Sequence, residues 1–129
     1  MATFHLQIVT PDGVFFDGDA AKVTVRAADG DVTVLPRHID YVTALGMGEA
    51  RVTGSDGATR RAACMGGLLA VSGGAVRIVA TTFEWADQID ENRARRAKEE
   101  AERRLAGPDA NALAEARLRR ALTRLRVVE

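Results

Sequence analysis

Four charged side chains near the end of the chain have the spacing to hold an anion. Asp90 and Arg93 stand three residues apart, and Arg120 and Arg124 stand four apart, so each pair shares one face if its segment is helical. Folded together at one end of a helical hairpin, the two later guanidinium groups would grip phosphate oxygens, and the carboxylate would accept from a base or ribose donor. The same spacing also describes an ion-pair network on a solvated hairpin, the commoner use of such residues. A second cluster is Leu35-Pro36-Arg37-His38-Ile39-Asp40-Tyr41, which presents Arg37, His38, Asp40 and Tyr41 together. That composition suits a contact surface as well as a plain connecting loop.

Other chemistry is sparse. His5 and His38 are the only histidines, and no nucleophile, base and oxyanion group can be named together, so no catalytic residues are expected. Gly66-Gly67 and Gly73-Gly74 lack the lysine and serine of a phosphate-binding loop before a helix and read as turns. Cys64 is the only cysteine, which excludes an intramolecular disulfide and a cysteine-based zinc site; a buried apolar thiol is expected, and no metal site.

The 18 basic and 18 acidic residues cancel, so no net field argues for nucleic acid or membrane lipid. Charge is concentrated late in the chain, however. Arg117, Arg119, Arg120, Arg124 and Arg126 face Glu115 alone before Glu129, a basic segment that suits an acidic partner. Nucleic acid is disfavoured because Trp85 and Tyr41 are the only tryptophan and tyrosine, leaving little for bases to stack on. The first residues lack the pattern of a signal peptide, and no apolar run approaches the roughly 20 residues that span a bilayer. The chain is expected to be cytosolic, or held at a membrane only by other proteins.

The elements that must position these residues fall into two parts, 1–85 and 86–129. Phe4, Leu6 and Ile8 alternate with polar neighbours, as do Val23 and Val25, then Val32 and Val34 after the Asp29-Gly30 turn; this is the period of half-buried strands. Turn signals at Asp17-Gly18, Gly46 to Gly48, Gly54 to Gly57, Gly66-Gly67 and Gly73-Gly74 separate further short strands, which predicts a β-sandwich. At Glu84 to Leu105 the periodicity becomes helical. Apolar residues fall at Ile89, Ala94, Ala97, Ala101 and Leu105, with Asp87 as the expected N-cap. Gly107-Pro108-Asp109 should end that helix and cap a second, striped by Ala114, Leu118, Ala121, Leu122 and Leu125. Two such helices predict an antiparallel hairpin. Its alanine stripes bury little area, so at about 25 cal/mol per Å² it must lean on the sandwich, a ligand or another protein. The fold class is therefore α+β.

Val9-Thr10-Pro11, Gly30-Asp31-Val32-Thr33-Val34-Leu35-Pro36-Arg37-His38, Val42-Thr43-Ala44-Leu45, Gly66-Gly67 and Leu118-Arg119-Arg120-Ala121-Leu122 with Arg124-Leu125 together resemble the epsilon subunit of the bacterial rotary, proton-translocating ATP synthase, called delta in mitochondria. The resemblance covers nearly the whole chain. It implies a ten-stranded sandwich and a two-helix hairpin on the central stalk, peripheral on the cytoplasmic face of the cell membrane, with no catalytic site and no required cofactor. The implied partners are the gamma subunit and the c-subunit ring, the latter through Asp31, Leu35, Pro36, Arg37 and His38. Alpha and beta subunits would be met when the hairpin extends and inhibits ATP hydrolysis. ATP is implied as a regulatory ligand that keeps the hairpin folded, held by Glu84, Ile89, Asp90, Arg93, Ala94, Arg120 and Arg124. Glu100 departs from ATP-binding members, which carry an arginine there. Thr33, Arg37 and Ile39-Asp40-Tyr41 depart from the usual contact loop. The alternative is a stand-alone nucleotide-sensing module with no rotor role.

Overall fold

The computed structural model describes residues 2–129. Seven strands come first: β1 (Phe4–Thr10), β2 (Gly13–Ala27), β3 (Gly30–Val34), β4 (Tyr41–Gly54), β5 (Thr59–Ser72), β6 (Ala75–Ala80) and β7 (Phe83–Trp85). One turn of 3-10 helix, Ala86–Gln88, leads to α1 (Glu91–Leu105) and α2 (Ala112–Val128). The strands pair in the order β1-β6-β5-β4-β2-β3, with β7 on β5, and β1 also pairs with β2. The ladder from β1 round to β2 therefore closes on itself, and the two layers of the sandwich are parts of one flattened barrel.

Seven strands among the described residues, not ten, make this body. The difference lies at glycines: β2, β4 and β5 are 15, 14 and 14 residues long and run through Gly18, Gly46 to Gly48, and Gly66-Gly67, where the sequence suggested turns. A glycine inside a strand bends it without ending it. The register is kept across the glycines, with Leu45 opposite Gly67 and Met47 opposite Met65. Bulges between Ala20 and Lys22 and between Thr24 and Ala27 bend β2 against β4, so single strands pass from one layer to the other.

The alternating residues meet inside. Leu6, Ile8, Val23, Val25, Val34, Leu69 and Ile78 are fully buried, and Trp85 closes the cluster against Phe15 and Phe83 with ring centroids 5.6 and 5.5 Å away. Arg60 covers its outer side, its guanidinium 3.8 Å from the ring centroid. Cys64 lies in this core, and burial pushes its thiol up to about 11, so it packs as a small hydrophobe. His5 stays exposed on β1, where its ring is hydrogen-bonded to Asp17 and holds that carboxyl below its ordinary range.

A smaller cluster joins Ala63 and Met65 of β5 to Val127 of α2, with Met47, Ala86 and Ile89 packed around them. Residues 62–65 are consequently buried on both faces of β5, one toward the sandwich core and the other under the end of α2. The hairpin is folded on the sandwich. Its helices run antiparallel: Arg124, near the end of α2, reaches Glu84, just before α1. Ala94 and Ala101 face Ala114 and Ala121 across the seam, all four buried, while Leu122 of the expected stripe is 45% exposed.

Both caps differ from expectation. Asp87 is taken up in the 3-10 turn, where Gln88 accepts from the Trp85 N–H at 3.1 Å; α1 is capped by Asp90, whose carboxylate accepts from the Arg93 N–H at 3.0 Å. Asn111, not Asp109, caps α2 by accepting from the Ala114 N–H at 2.9 Å. Replacing Asp90 by alanine should destabilise the first turn of α1 by about 1 kcal/mol, read as faster amide exchange at Arg93 and Ala94.

Candidate functional site

The alanine seam does not close along its whole length. Between α1, α2 and the junction before them lies a cleft of about 460 Å³. Glu84, Asp90, Arg93, Ala94, Arg120 and Arg124 line it, so six of the seven residues singled out for a nucleotide converge on one space. Ile89 does not: its side chain packs in the seam beside Met65 and Val127. The fold achieves the convergence simply. Arg93 and Ala94 sit on the first turn of α1, Arg120 and Arg124 lie one turn apart on α2, and β7 delivers Glu84 to the closed end.

Gln88, Ala97, Glu100, Ala101, Arg104 and Arg117 complete the walls. Arg104 and Arg117 were not among the residues expected to hold a nucleotide, although their spacing contains the signal. Positions 90, 93, 97, 100 and 104 follow the helical period, as do 117, 120 and 124. The stripe that reads as a packing seam is also the wall of the cleft, which is why Ala97 is exposed.

Five arginines thus face three carboxylates. Two of the arginines are already engaged: Arg124 donates to Glu84 at 2.7 Å, with both side chains about 30% exposed, and Arg104 donates to Glu100 at 3.1 Å. Arg93, Arg117 and Arg120 form no ion pair among the described residues. The Asp90 carboxylate spends one acceptor on its helix cap and retains lone pairs for a donor on a ligand. The cleft thus sets guanidinium groups beside a carboxylate with acceptor capacity, a complement in charge to a multiply charged anion carrying a hydrogen-bond donor. No group of metal-binding side chains occurs among the described residues.

The loop residues are presented separately. Asp31 is on β3 and pairs with Arg26 at 3.6 Å. Leu35 and Ile39 are exposed, and Arg37 takes a left-handed conformation with φ 67° in a turn closed by the His38 N–H donating to the Leu35 carbonyl at 3.2 Å. Such a conformation is uncommon outside glycine and marks a tightly specified turn. Asp40 accepts from the Gly73 N–H at 3.0 Å, which fixes the loop against the β5–β6 turn.

A third surface escaped sequence reading. Val42, Leu68 and Val79 are 64, 42 and 45% exposed. Leu68 lies opposite both Ala44 and Val79, and Val42 opposite Ala70, so these side chains form one apolar face across β4, β5 and β6. Such a face is suited to contact with another apolar surface. Its residues come from three strands, so only the register assembles it.

Comparison with known proteins agrees over the whole length. Residues 3–86 match the family described as ATP synthase, Delta/Epsilon chain, beta-sandwich domain, and residues 87–129 match ATP synthase, Delta/Epsilon chain, long alpha-helix domain. The ATP synthase epsilon chain of Exiguobacterium sp. is 40% identical, covering 98% of this chain and 96% of that one. That of Bacillus licheniformis is 42% identical, covering 98% of each. Among solved structures, a chain of the Euglena gracilis mitochondrial ATP synthase OSCP/F1/c-ring superposes with a TM-score of 0.76 at 25% identity, over 99% of this chain and 78% of that one. A Tetrahymena thermophila central stalk/c-ring chain shares the fold with a TM-score of 0.66 at 13% identity.

Proposed function

The chain belongs to the delta/epsilon family of the rotary ATP synthase and is a central-stalk subunit, and from that premise we propose that its two parts divide the work into rotor contact and control. The sandwich holds the gamma subunit and sits on the c-subunit ring; the hairpin restrains ATP hydrolysis when it leaves the sandwich and extends toward the alpha and beta subunits. The protein itself is non-catalytic. It reaches the cytoplasmic face of the membrane through the complex, and no helix among its described residues is long and apolar enough to cross a bilayer.

The observation that carries the control reading is the cleft. Folded, the hairpin brings Arg93, Arg120 and Arg124 onto one space of about 460 Å³; extended, α1 and α2 separate and that space is gone. A polyanion such as ATP therefore stabilises the folded state by its differential affinity for it. ATP is a regulatory ligand in this reading, and no cofactor is needed to hold the fold. The test is hydrolysis by the assembled complex with and without this chain, at low and high ATP. Removal should raise the rate at low ATP and change it little at high ATP; equal rates at both concentrations sink the proposal.

The rotor reading places gamma on the apolar face at Val42, Leu68 and Val79, and the ring against the turn at Leu35 to His38 with Asp31 beside it. Leu68→Asp puts a charge at the centre of that face without touching the core. It should abolish co-purification with gamma while leaving the thermal midpoint within a few degrees. A charge stranded in a dry interface costs several kcal/mol, whereas on an exposed strand it costs little. Undiminished gamma binding would remove this face from the interface.

A further inference from the structure

Arg61 on β5 belongs to none of these surfaces, yet it makes the densest polar contact between the two parts of the chain. Its Nη1 donates to the backbone oxygen of Glu129, the C-cap residue, at 2.7 Å and its Nη2 to the Arg126 carbonyl at 3.1 Å. Its Nε donates to Glu49 Oε2 at 3.0 Å. The Arg126 carbonyl, in the last turn of α2, accepts a long bond of 3.4 Å from the Glu129 N–H and has a second lone pair to offer; the helix end also carries the negative end of the dipole, so a guanidinium suits it in both geometry and charge. Glu49, from β4 and 19% exposed, accepts from both Nε and Nη2 of the same guanidinium and fixes its plane. Beside it Val127, 1% exposed, fills the site formed by Ala63 and Met65.

The other polar tie to the sandwich, Arg124 to Glu84, behaves differently. Both of its members line the cleft, so an anion bound there competes with Glu84 for Arg124. Arg61 and Glu49 are outside the cleft, and their hold on α2 does not change with what the cleft contains. Because Arg61 meets backbone oxygens, it recognises a helix end arriving at that spot, whatever side chains the helix carries.

We propose that Arg61, oriented by Glu49, is a nucleotide-independent latch that docks the end of α2 on the sandwich. ATP then acts on the separate seam between α1 and α2. This deepens the control reading above and rests on the hairpin leaving the sandwich. Two restraints of different kind result: one intrinsic to the chain, and one set by ligand.

The test is amide hydrogen exchange on the full-length protein, alone and with ATP. Arg61→Ala should speed exchange across Thr123 to Val128 roughly tenfold, with or without ATP, from loss of two charge-assisted bonds and a dipole contact. Amides of β1 and β6 should keep their rates. Arg61→Lys retains the charge beside Glu49 but cannot fork across two backbone oxygens, and should give an intermediate effect; it also serves if the alanine variant fails to fold. Unchanged exchange over Thr123 to Val128 overturns the latch, as does equal acceleration throughout the sandwich, which would make Arg61 a general sheet stabiliser. In the assembled ATP synthase the alanine variant should lower hydrolysis. Faster exchange with unaltered hydrolysis upholds the latch and removes the inhibitory role of the hairpin.

Discussion

Gly67→Ala is expected to cost at least 3 kcal/mol and lower the thermal midpoint by 10 °C or more, roughly the size of a clash added to a backbone strain. Gly67 has φ +139°, and a Cβ built there lies 2.0 Å from the Val79 carbonyl oxygen and 2.9 Å from the Ala80 Cα. Both obstacles are backbone, so no rotamer change relieves them. Relief requires β6 to move off β5, and β6 is held on its other edge by β1, with Leu6 opposite Val76 and Ile8 opposite Ile78. The methyl group therefore strains two ladders of the closed sheet together. Gly73→Ala separates the two causes: Gly73 also has positive φ, +59°, but nothing stands within 4 Å of its Cβ. It should lose only about 1 to 2 kcal/mol for the left-handed backbone. Denaturant melts of both variants would measure the difference, and equal losses would mean that β6 is not held as closely as the register indicates.

The same glycine shows where sequence reading reached its limit. The period-two runs at Phe4, Leu6, Ile8 and at Val23, Val25 name their buried faces correctly because alternation is a local property of a strand. Whether Gly66-Gly67 ends a strand or bends it depends on the partner strand alongside, and here β4 continues past it; the short pieces that the turn signals suggested there are one long strand. The caps failed for a related reason. Asp87 and Asp90 both have the chemistry of an N-cap, and the choice is made by the 3-10 turn that the burial of Trp85 and Ile89 imposes between them. In the cleft, Asp90, Arg93, Arg120 and Arg124 were legible because helical spacing and charge sufficed. Ile89 and Val127 were not, since their burial depends on β5 lying beneath them, a contact 62 residues away in sequence for Met65 and Val127.

The largest effect on binding should come from Arg93→Ala combined with Arg120→Ala, which we expect to weaken ATP binding at least 100-fold in calorimetry with Mg²⁺. Each arginine offers a charge-assisted bond to phosphate worth about 1.5 to 3 kcal/mol. Neither is engaged in an ion pair among the described residues, so their removal breaks none of those pairs. Arg124 is the poorer probe, because losing it also strands Glu84 and mixes stability with affinity. Glu100 works in the opposite sense. Its carboxylate lines the cleft, where a phosphate would meet a like charge; Arg104, held at 3.1 Å, offsets part of that field and brings its own guanidinium to the wall. Glu100→Gln removes the repulsion and releases Arg104 to face the ligand, and should tighten ATP binding about threefold, the effect of one solvent-screened charge whose side chain is 56% exposed. Binding unchanged in both the double arginine variant and Glu100→Gln would place the nucleotide elsewhere. A loss with the first and a gain with the second is a pattern that a uniform loss of hairpin stability cannot produce, since none of the three charges is part of the α2 docking seam at Val127.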